Sequence, residues 1–382
     1  MPRLIATKHV PIAVWASDPP PAAMRQLQAI AELPFVVERA AGMPDLHVAE
    51  GVAVGTVFAT ERELVPAALG SDLGCGMAAV RFAFPAASLS RQDLEDLLQS
   101  FAKAFSGKAK AELGPEAEAC LTGRLSTRAL EHQRERVGRG QLGTVGGGNH
   151  FVELDRDMEG HLWLLVHSGS RGIGGAIGAH HAKAAKAASG SKSELGFLDA
   201  STDAGRGFLL DLAWGLQYAR ANRSRLVELA SKVLAERHGA MAAAETRIDL
   251  PHNFIAEEVV DGRSLLVHRK GAAPAASGSL GLIPGSMGTA SYLVEGLGNP
   301  SSFGSCSHGA GRVMSRTEAR QRIGAKDLER SMRKVVYDER LARALVEEAP
   351  GAYRDIGTVL EEQADLVRPV MRLEPLAVYK GR

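Results

Sequence analysis

The chain has 382 residues, 45% of them hydrophobic and 23% charged, which provides for a large core and excludes a disordered or collagen-like polymer. Forty-five Lys and Arg against 44 Asp and Glu leave a net charge of +1, so a uniformly basic nucleic-acid coat is excluded while a local basic groove is not. Cys75, Cys120 and Cys306 are too few and odd in number for a disulfide framework, so a special cysteine here is a ligand or a nucleophile.

The N-terminal MPRLIATKHVPIAVWASDPP has no apolar run of signal-peptide length, and no stretch reaches the ~18 apolar residues of a membrane helix, so a cytoplasmic protein is expected. No linker, repeat or charge block marks a boundary, and residues 1–382 are expected to form one domain. The 42 glycines cluster in polar stretches that follow short apolar segments, a pattern of strands ending in tight loops. The first such loop, SDLGCGM, carries Asp72 and Cys75. A helix follows over about 91–105, with Leu94, Leu97, Leu98 and Phe101 on one face. Gly138, Gly140 and Gly143 spell G-x-G-x-x-G, but EHQRERV before them reads as helix rather than strand, so a dinucleotide site fails its context test. LGTVGGGNHFVEL and LWLLVHSGSRGIGG are two further strand and loop segments, presenting His150 and His167. An Ala-rich helix near 176–188 and a long helix from Leu209 through Met241 are read as core-facing. LPHNF, LLVHRKGA, GLIPGSMGTASYLVEG and SSFGSCSHGAGR continue the loop pattern, and helices near 325–335 and 355–367 precede a final apolar LEPLAVYKGR. Strands and helices do not alternate regularly, which makes the fold class α+β rather than a doubly wound parallel sheet.

The 12 histidines separate by context. His132, His180, His181 and His238 lie in helix-like sequence, and His9, His47 and His161 in polar or N-terminal context; all seven read as surface or capping residues. His268 is intermediate. His150, His167, His252 and His308 occupy loop positions where a scaffold presents catalytic groups. Together with the D-x-x-C of Asp72 and Cys75 they make a ligand set for one or two divalent ions, and on residue types alone zinc and manganese stay equally open. No Walker A sequence is present. The loops PGSMGTAS and HSGSRGIGG can offer backbone N–H groups to phosphates, and Arg171 and Arg312 can add bidentate contacts.

Eight of these segments, in order, resemble the RtcB family of RNA ligases: SDLGCGM, LGTVGGGNHFVEL, HSGSRGIG, PHNF, VHRKGA, PGSMGTASY, SHGAGR and the terminal YKG. The resemblance implies a single RtcB-like domain whose β-sheets form a central metal cleft surrounded by helices. It implies an enzyme that joins RNA ending in a 2′,3′-cyclic phosphate or 3′-phosphate to RNA with a 5′-hydroxyl, using GTP and two Mn²⁺ ions. Cys75 would bridge the ions, Asp72 and His150 completing one set and His167 and His252 the other. His308 would be the guanylylated nucleophile. Asn149, Arg171 and Arg312 would handle phosphates, and Glu153, Ser286, Ser291 and Lys380 would hold the guanine nucleotide. An archease-type activating protein is among the partners so implied. Two other readings stay in view: a diverged member that caps 3′-phosphate ends without joining them, and a metal-dependent phosphoesterase with a water nucleophile.

Overall fold

The structure is a computed structural model and describes residues 1–106, 115–190, 195–239 and 247–381. Its fold is α+β, built on two large sheets. The first has six strands in the order Arg3–Ile5, Ile12–Val14, Val36–His47, Val54–Thr60, Arg263–Lys270 and Asn253–Val260. Within it only Ile12–Val14 and Val36–His47 pair in parallel. The second has seven strands, all antiparallel, in the order Ile248–Pro251, Gly76–Pro85, His161–Ser168, Phe151–Asp157, Val367–Tyr379, Ser291–Gly296 and Leu280–Ile283.

The strand His161–Ser168 is apolar on both faces because both are covered. Leu162, Leu164 and Val166 meet the helices Arg91–Ala104 and Asp203–His238 through Leu94, Leu97, Phe101, Leu226 and Leu234. Trp163 and Leu165 face the opposite way, into a cluster with Met77, Leu293 and Leu373 that also takes in Ile248 and Leu282 from the two edge strands. The sheet therefore curls on itself. Full burial of each such Leu contributes roughly 1.5–3 kcal/mol, so this core holds rigid the strands whose ends carry the functional side chains.

The helices follow local signals. Ser90 and Asp93 form a capping box at the start of Arg91–Ala104. The long helix begins at a Thr202 cap and stops at His238, short of the expected Met241, because Gly239 takes a left-handed φ of +67° that ends the ladder; Met241 itself lies outside the described residues. The helix expected near 325–335 is Ala325–Ser331, and the one expected near 355–367 is Ile356–Glu362. The final apolar segment is the strand Val367–Tyr379. Gly138 and Gly140 lie inside the helix Arg128–Gln141, which removes the dinucleotide motif structurally as well. No described helix is long and apolar enough to cross a membrane.

The chain passes from the seven-stranded to the six-stranded sheet at His252, between Ile248–Pro251 and Asn253–Val260. Asn253 ties this crossing to two other loops: its Nδ2 donates to the carbonyl of Asp72 at 3.0 Å, and its Oδ1 accepts from the backbone N–H of Gly271 at 2.7 Å. Strand ends from both sheets and the loop SDLGCGM thus meet in one place.

Candidate functional site

Cys75 immediately precedes Gly76–Pro85, His150 precedes Phe151–Asp157 and His167 lies near the end of His161–Ser168, three neighbouring antiparallel strands that bring the side chains together at one end. Cys75 Sγ is 3.3 Å from His150 Nε2 and 3.2 Å from His167 Nε2. His167 Nε2 is 3.3 Å from His252 Nε2, and Asp72 Oδ2 is 2.8 Å from His150 Nε2. Gly169 closes the floor: a Cβ there would run into the Asp72 carboxylate and the Cys75 backbone.

Burial and two neighbouring histidines, His150 and His308, hold His167 neutral, its pKa well below the usual imidazole range. Burial does the same for His252, reinforced by His308. Burial, reinforced by the Asp72 charge, pushes the Cys75 thiol well up. Burial by itself would also raise Asp72, but the His150 imidazole outweighs it and holds that carboxyl below the usual range. His167 Nδ1 faces the carbonyl of Asn149 at 3.1 Å, and donating there leaves Nε2 with its lone pair turned to the cluster.

His308 follows the short strand Ser305–Ser307, and its ring centroid lies 4.7 Å from that of His252. Asp45, fully buried, accepts from His308 Nδ1 at 2.6 Å and from the His308 backbone N–H at 3.1 Å. That carboxylate selects the Nδ1–H tautomer and leaves Nε2 as the free nitrogen. Neither Asp45 nor His47 stood out in the sequence. The His47 ring lies 6.4 Å from that of His308 and nearly parallel to it, and burial takes its pKa down to about 4. Two readings of isolated histidines are corrected here: His47 lines the cleft instead of the surface, and His181 is buried in the core, bonded to Asp211 at 2.7 Å. His268 is structural, fully buried and stacked on Phe58 at 4.4 Å.

All of this opens into a cleft of about 1890 Å³. Asn149, Arg171, Ser286, Arg312 and Lys380 line it, together with Asp72, Cys75, His167, His252 and His308. Glu153 and Ser291 are buried behind the wall, at 2% and 1% exposure. Burial and the adjacent Asp155 carboxyl push Glu153 well up, with Lys380 opposing. Lys380, the third residue from the chain end, is buried because the preceding strand pairs with both Phe151–Asp157 and Ser291–Gly296; its Nζ is 3.7 Å from Glu348 Oε2. Arg312 is engaged by Glu348 Oε1 at 3.2 Å, the carbonyl of Glu347 at 2.7 Å and the Tyr353 hydroxyl at 3.1 Å. Arg171 is less committed: Nε donates to Thr144 Oγ1 at 3.2 Å, and Nη1 is 3.5 Å from His150 Nδ1.

The family described as tRNA-splicing ligase RtcB matches residues 26–381. The chain is 35% identical to the RNA-splicing ligase RtcB of Escherichia coli K12 over 417 aligned residues, covering 99% of both proteins. A second Escherichia coli protein, RNA-splicing ligase RtcB1, is also 35% identical over 99% of both chains. The RNA-splicing ligase RtcB of Mycobacterium tuberculosis is 31% identical over 93% of this chain and 100% of that protein. This chain belongs to the RtcB family of RNA ligases.

The donors of this site, one buried thiol, three imidazoles and a carboxylate, form the mixed set that a divalent transition ion takes, and His167 and His252, held neutral by burial, need lose no proton to bind. Cys75, His150 and His167 alone place their ligand atoms within 4.8 Å of one another. The fit is therefore good.

Sequence reasoning gave the long helix no role beyond the core, yet its Asn222 and Arg223 hold the loops of the RtcB centre. Arg223, 2% exposed, donates to the carbonyls of Gly74 at 2.8 Å and Ser168 at 3.2 Å, each adjacent to a candidate ligand, and pairs with Asp249 at 2.5 Å. Asn222 accepts from Gly143 N–H at 2.7 Å and donates to the carbonyls of Thr144 and Gly169, both at 3.2 Å. The ANRSR sequence could have drawn attention, since an Arg and an Asn on an otherwise apolar helical stripe must be satisfied by something buried. Arg223→Ala is expected to cost about 3–5 kcal/mol in urea unfolding, because it leaves Asp249 and two carbonyls unpaired in the interior. A loss below about 1 kcal/mol would show that the loops hold themselves.

Proposed function

We propose that this RtcB-family protein is a GTP- and Mn²⁺-dependent ligase joining RNA 2′,3′-cyclic phosphate or 3′-phosphate ends to 5′-hydroxyl ends. The observation that carries the reading is His308: an imidazole fixed by Asp45 through Nδ1, facing the His/Cys/Asp cluster, with its other nitrogen free. A hydrolase acting through water needs no such group.

Asp72, Cys75 and His150 would hold one Mn²⁺, and Cys75, His167 and His252 the other. Bound there, the ions supply positive charge to the phosphate oxygens of the reacting groups. His308 Nε2 attacks the α-phosphorus of GTP, an N–P bond forms and pyrophosphate leaves. Asp45 keeps the Nδ1 proton in place and offsets the positive charge that develops on the ring. Where the end is a 2′,3′-cyclic phosphate, water first breaks the P–O2′ bond to leave a 3′-phosphate and a 2′-hydroxyl. An oxygen of the RNA 3′-phosphate then attacks the same phosphorus and breaks the N–P bond, which frees His308 and produces an RNA–pp–G end. The 5′-hydroxyl of the second strand attacks the 3′-phosphate, GMP departs and the hydroxyl proton passes to solvent. Asn149 and Arg171 line the cleft beside the cluster as phosphate contacts, and Arg312 would join them by exchanging its Glu348 partner. Lys380, which can donate to guanine O6, would select the base with Ser286, Ser291 and Glu153. An archease-type protein would activate the cycle.

The test is a reaction of 3′-phosphate and 5′-hydroxyl oligoribonucleotides with GTP and Mn²⁺, resolved by denaturing electrophoresis. Joined strands are the expected product. Accumulated RNA–pp–G would mean a capping enzyme, and release of inorganic phosphate without either product a phosphoesterase.

A further inference from the structure

The strand Phe151–Asp157 sends Val152 and Leu154 into the core under the helices, so by alternation Glu153 and Asp155 point the other way, to the inner side of the curled sheet. Their cross-strand partners are Leu165 for Glu153 and Trp163 for Asp155, both members of the inner apolar cluster. Asp155 is fully buried. Among the described residues neither of its oxygens meets an N–H or hydroxyl donor, and what adjoins it is another carboxyl, Glu153. Asp157, two positions on, is by contrast fully matched: it accepts from Trp163 Nε1 at 2.8 Å and from the backbone N–H groups of Glu159 at 2.9 Å and His161 at 2.8 Å.

An ionised carboxylate buried without a donor is strongly disfavoured, so this pair needs a proton. Burial lifts the Asp155 pKa to about 7, and burial together with the adjoining Asp155 holds Glu153 well above the usual carboxyl range. Among the described residues Lys380 is the cation that acts on the pair, through Glu153, and it is already matched by Glu348 at 3.7 Å. Near neutral pH the two carboxyls therefore keep at least one proton between them.

We propose that Asp155 is a positioning residue of the guanine pocket, holding the shared proton when guanine binds so that Glu153 meets the base as a bare carboxylate. The inference rests on the GTP reading for its ligand and deepens it. Guanine presents N1–H and N2–H₂, and a protonated Glu153 would turn a further donor toward these donors. With Asp155 beside it, Glu153 need not release its proton to solvent: the Glu153 O–H bond breaks, an Asp155 O–H bond forms, and the new hydroxyl donates back to Glu153. No net proton is lost. Adenine has no donor at N1, so the exchange favours guanine, and Asp155 acts only through Glu153.

The experiment compares Asp155→Leu, which can neither hold the proton nor donate, with Asp155→Asn, whose amide donates to Glu153 as the protonated acid does. Calorimetry measures binding of GMP and AMP, neither of which carries a pyrophosphate to leave, with Mn²⁺ in excess. Asp155→Leu is expected to lower the preference for GMP over AMP at least tenfold, by weakening GMP with AMP unchanged, while Asp155→Asn keeps most of it. In parallel, urea unfolding of wild type and Asp155→Asn is followed without nucleotide over about pH 5–7. A carboxyl whose pKa is raised in the fold keeps its proton there and loses it in the unfolded chain, so its stabilisation is lost as pH rises toward about 7. The ratio of the wild-type unfolding constant to that of the variant is therefore expected to rise about tenfold per pH unit. A GMP preference untouched in Asp155→Leu, or lost equally in both variants, would overturn the proposal and leave the ligase reading intact, as would a ratio that does not move with pH. Wild-type protein with no preference for GMP over AMP would instead overturn the guanine assignment on which the proposal rests.

Discussion

His308→Ala is expected to eliminate covalent GMP labelling entirely while sparing the last chemical step. The wild-type adduct would be a phosphoramidate, labile in acid and stable in alkali. Among the described residues of the cleft outside the cluster, no other imidazole is held by a carboxylate: His167 and His252 lie within the cluster, and His47 Nδ1 faces only the backbone carbonyl of Asp45 at 2.7 Å. Supplied with pre-formed RNA–pp–G and a 5′-hydroxyl strand, the variant is nevertheless expected to seal them, because that step needs phosphate contacts but no enzyme nucleophile. Asp45→Asn is a graded version of the same test. The amide lacks the negative charge that offsets the positive charge developing on the ring, and labelling should slow by about 10²–10⁴-fold, the usual range for a proton-handling group. Labelling retained in His308→Ala, or an adduct mapped to another histidine, would overturn the site while leaving the reaction class intact.

Cys75→Ala is expected to remove bound metal and every activity together. The thiol stands between His150 and His167, so in the proposed arrangement it serves both ions and its loss affects both. Neither Cys120, in the helix Pro115–Thr122, nor Cys306, buried in the strand before His308, touches the cluster, and their alanine variants should keep full metal content. The pH dependence follows from the protonation states. Burial and Asp72 keep Cys75 protonated at neutral pH in the absence of a cation, whereas His167 and His252 are already neutral. Metal uptake therefore releases the Cys75 proton, and affinity is expected to rise about tenfold per pH unit through neutrality. Elemental analysis of the variant at full occupancy, or a pH-independent affinity, would refute the shared-thiolate assignment.

Much of this site could be read from the chain because its residues sit in short segments with local signatures. Asp72 and Cys75 share one glycine turn, and His150, His167, His252 and His308 each follow an apolar or glycine-rich segment. The eight ordered motifs carry the family resemblance in the sequence itself. Element types were equally local: the apolar stripe of Leu94, Leu97, Leu98 and Phe101 forms the expected helix face, and irregular alternation of strands with helices yields an α+β fold.

The chain alone specifies the chemistry on offer: which side chains are donors, and which segments are strands or helices. What each donor touches depends on how distant segments pack. Asp45 lies 263 positions from His308, and MPDLH carries no local sign that its carboxylate will be buried against a distant imidazole. Lys380 looks like a frayed terminal residue until its strand pairs on both sides, and Arg223 looks like part of a helix until its guanidinium meets two loop carbonyls. Pairing register and burial are properties of contacts between segments far apart along the chain. Periodicity and spacing report only on neighbours, so these partnerships were set by the packing of the two sheets around the cleft.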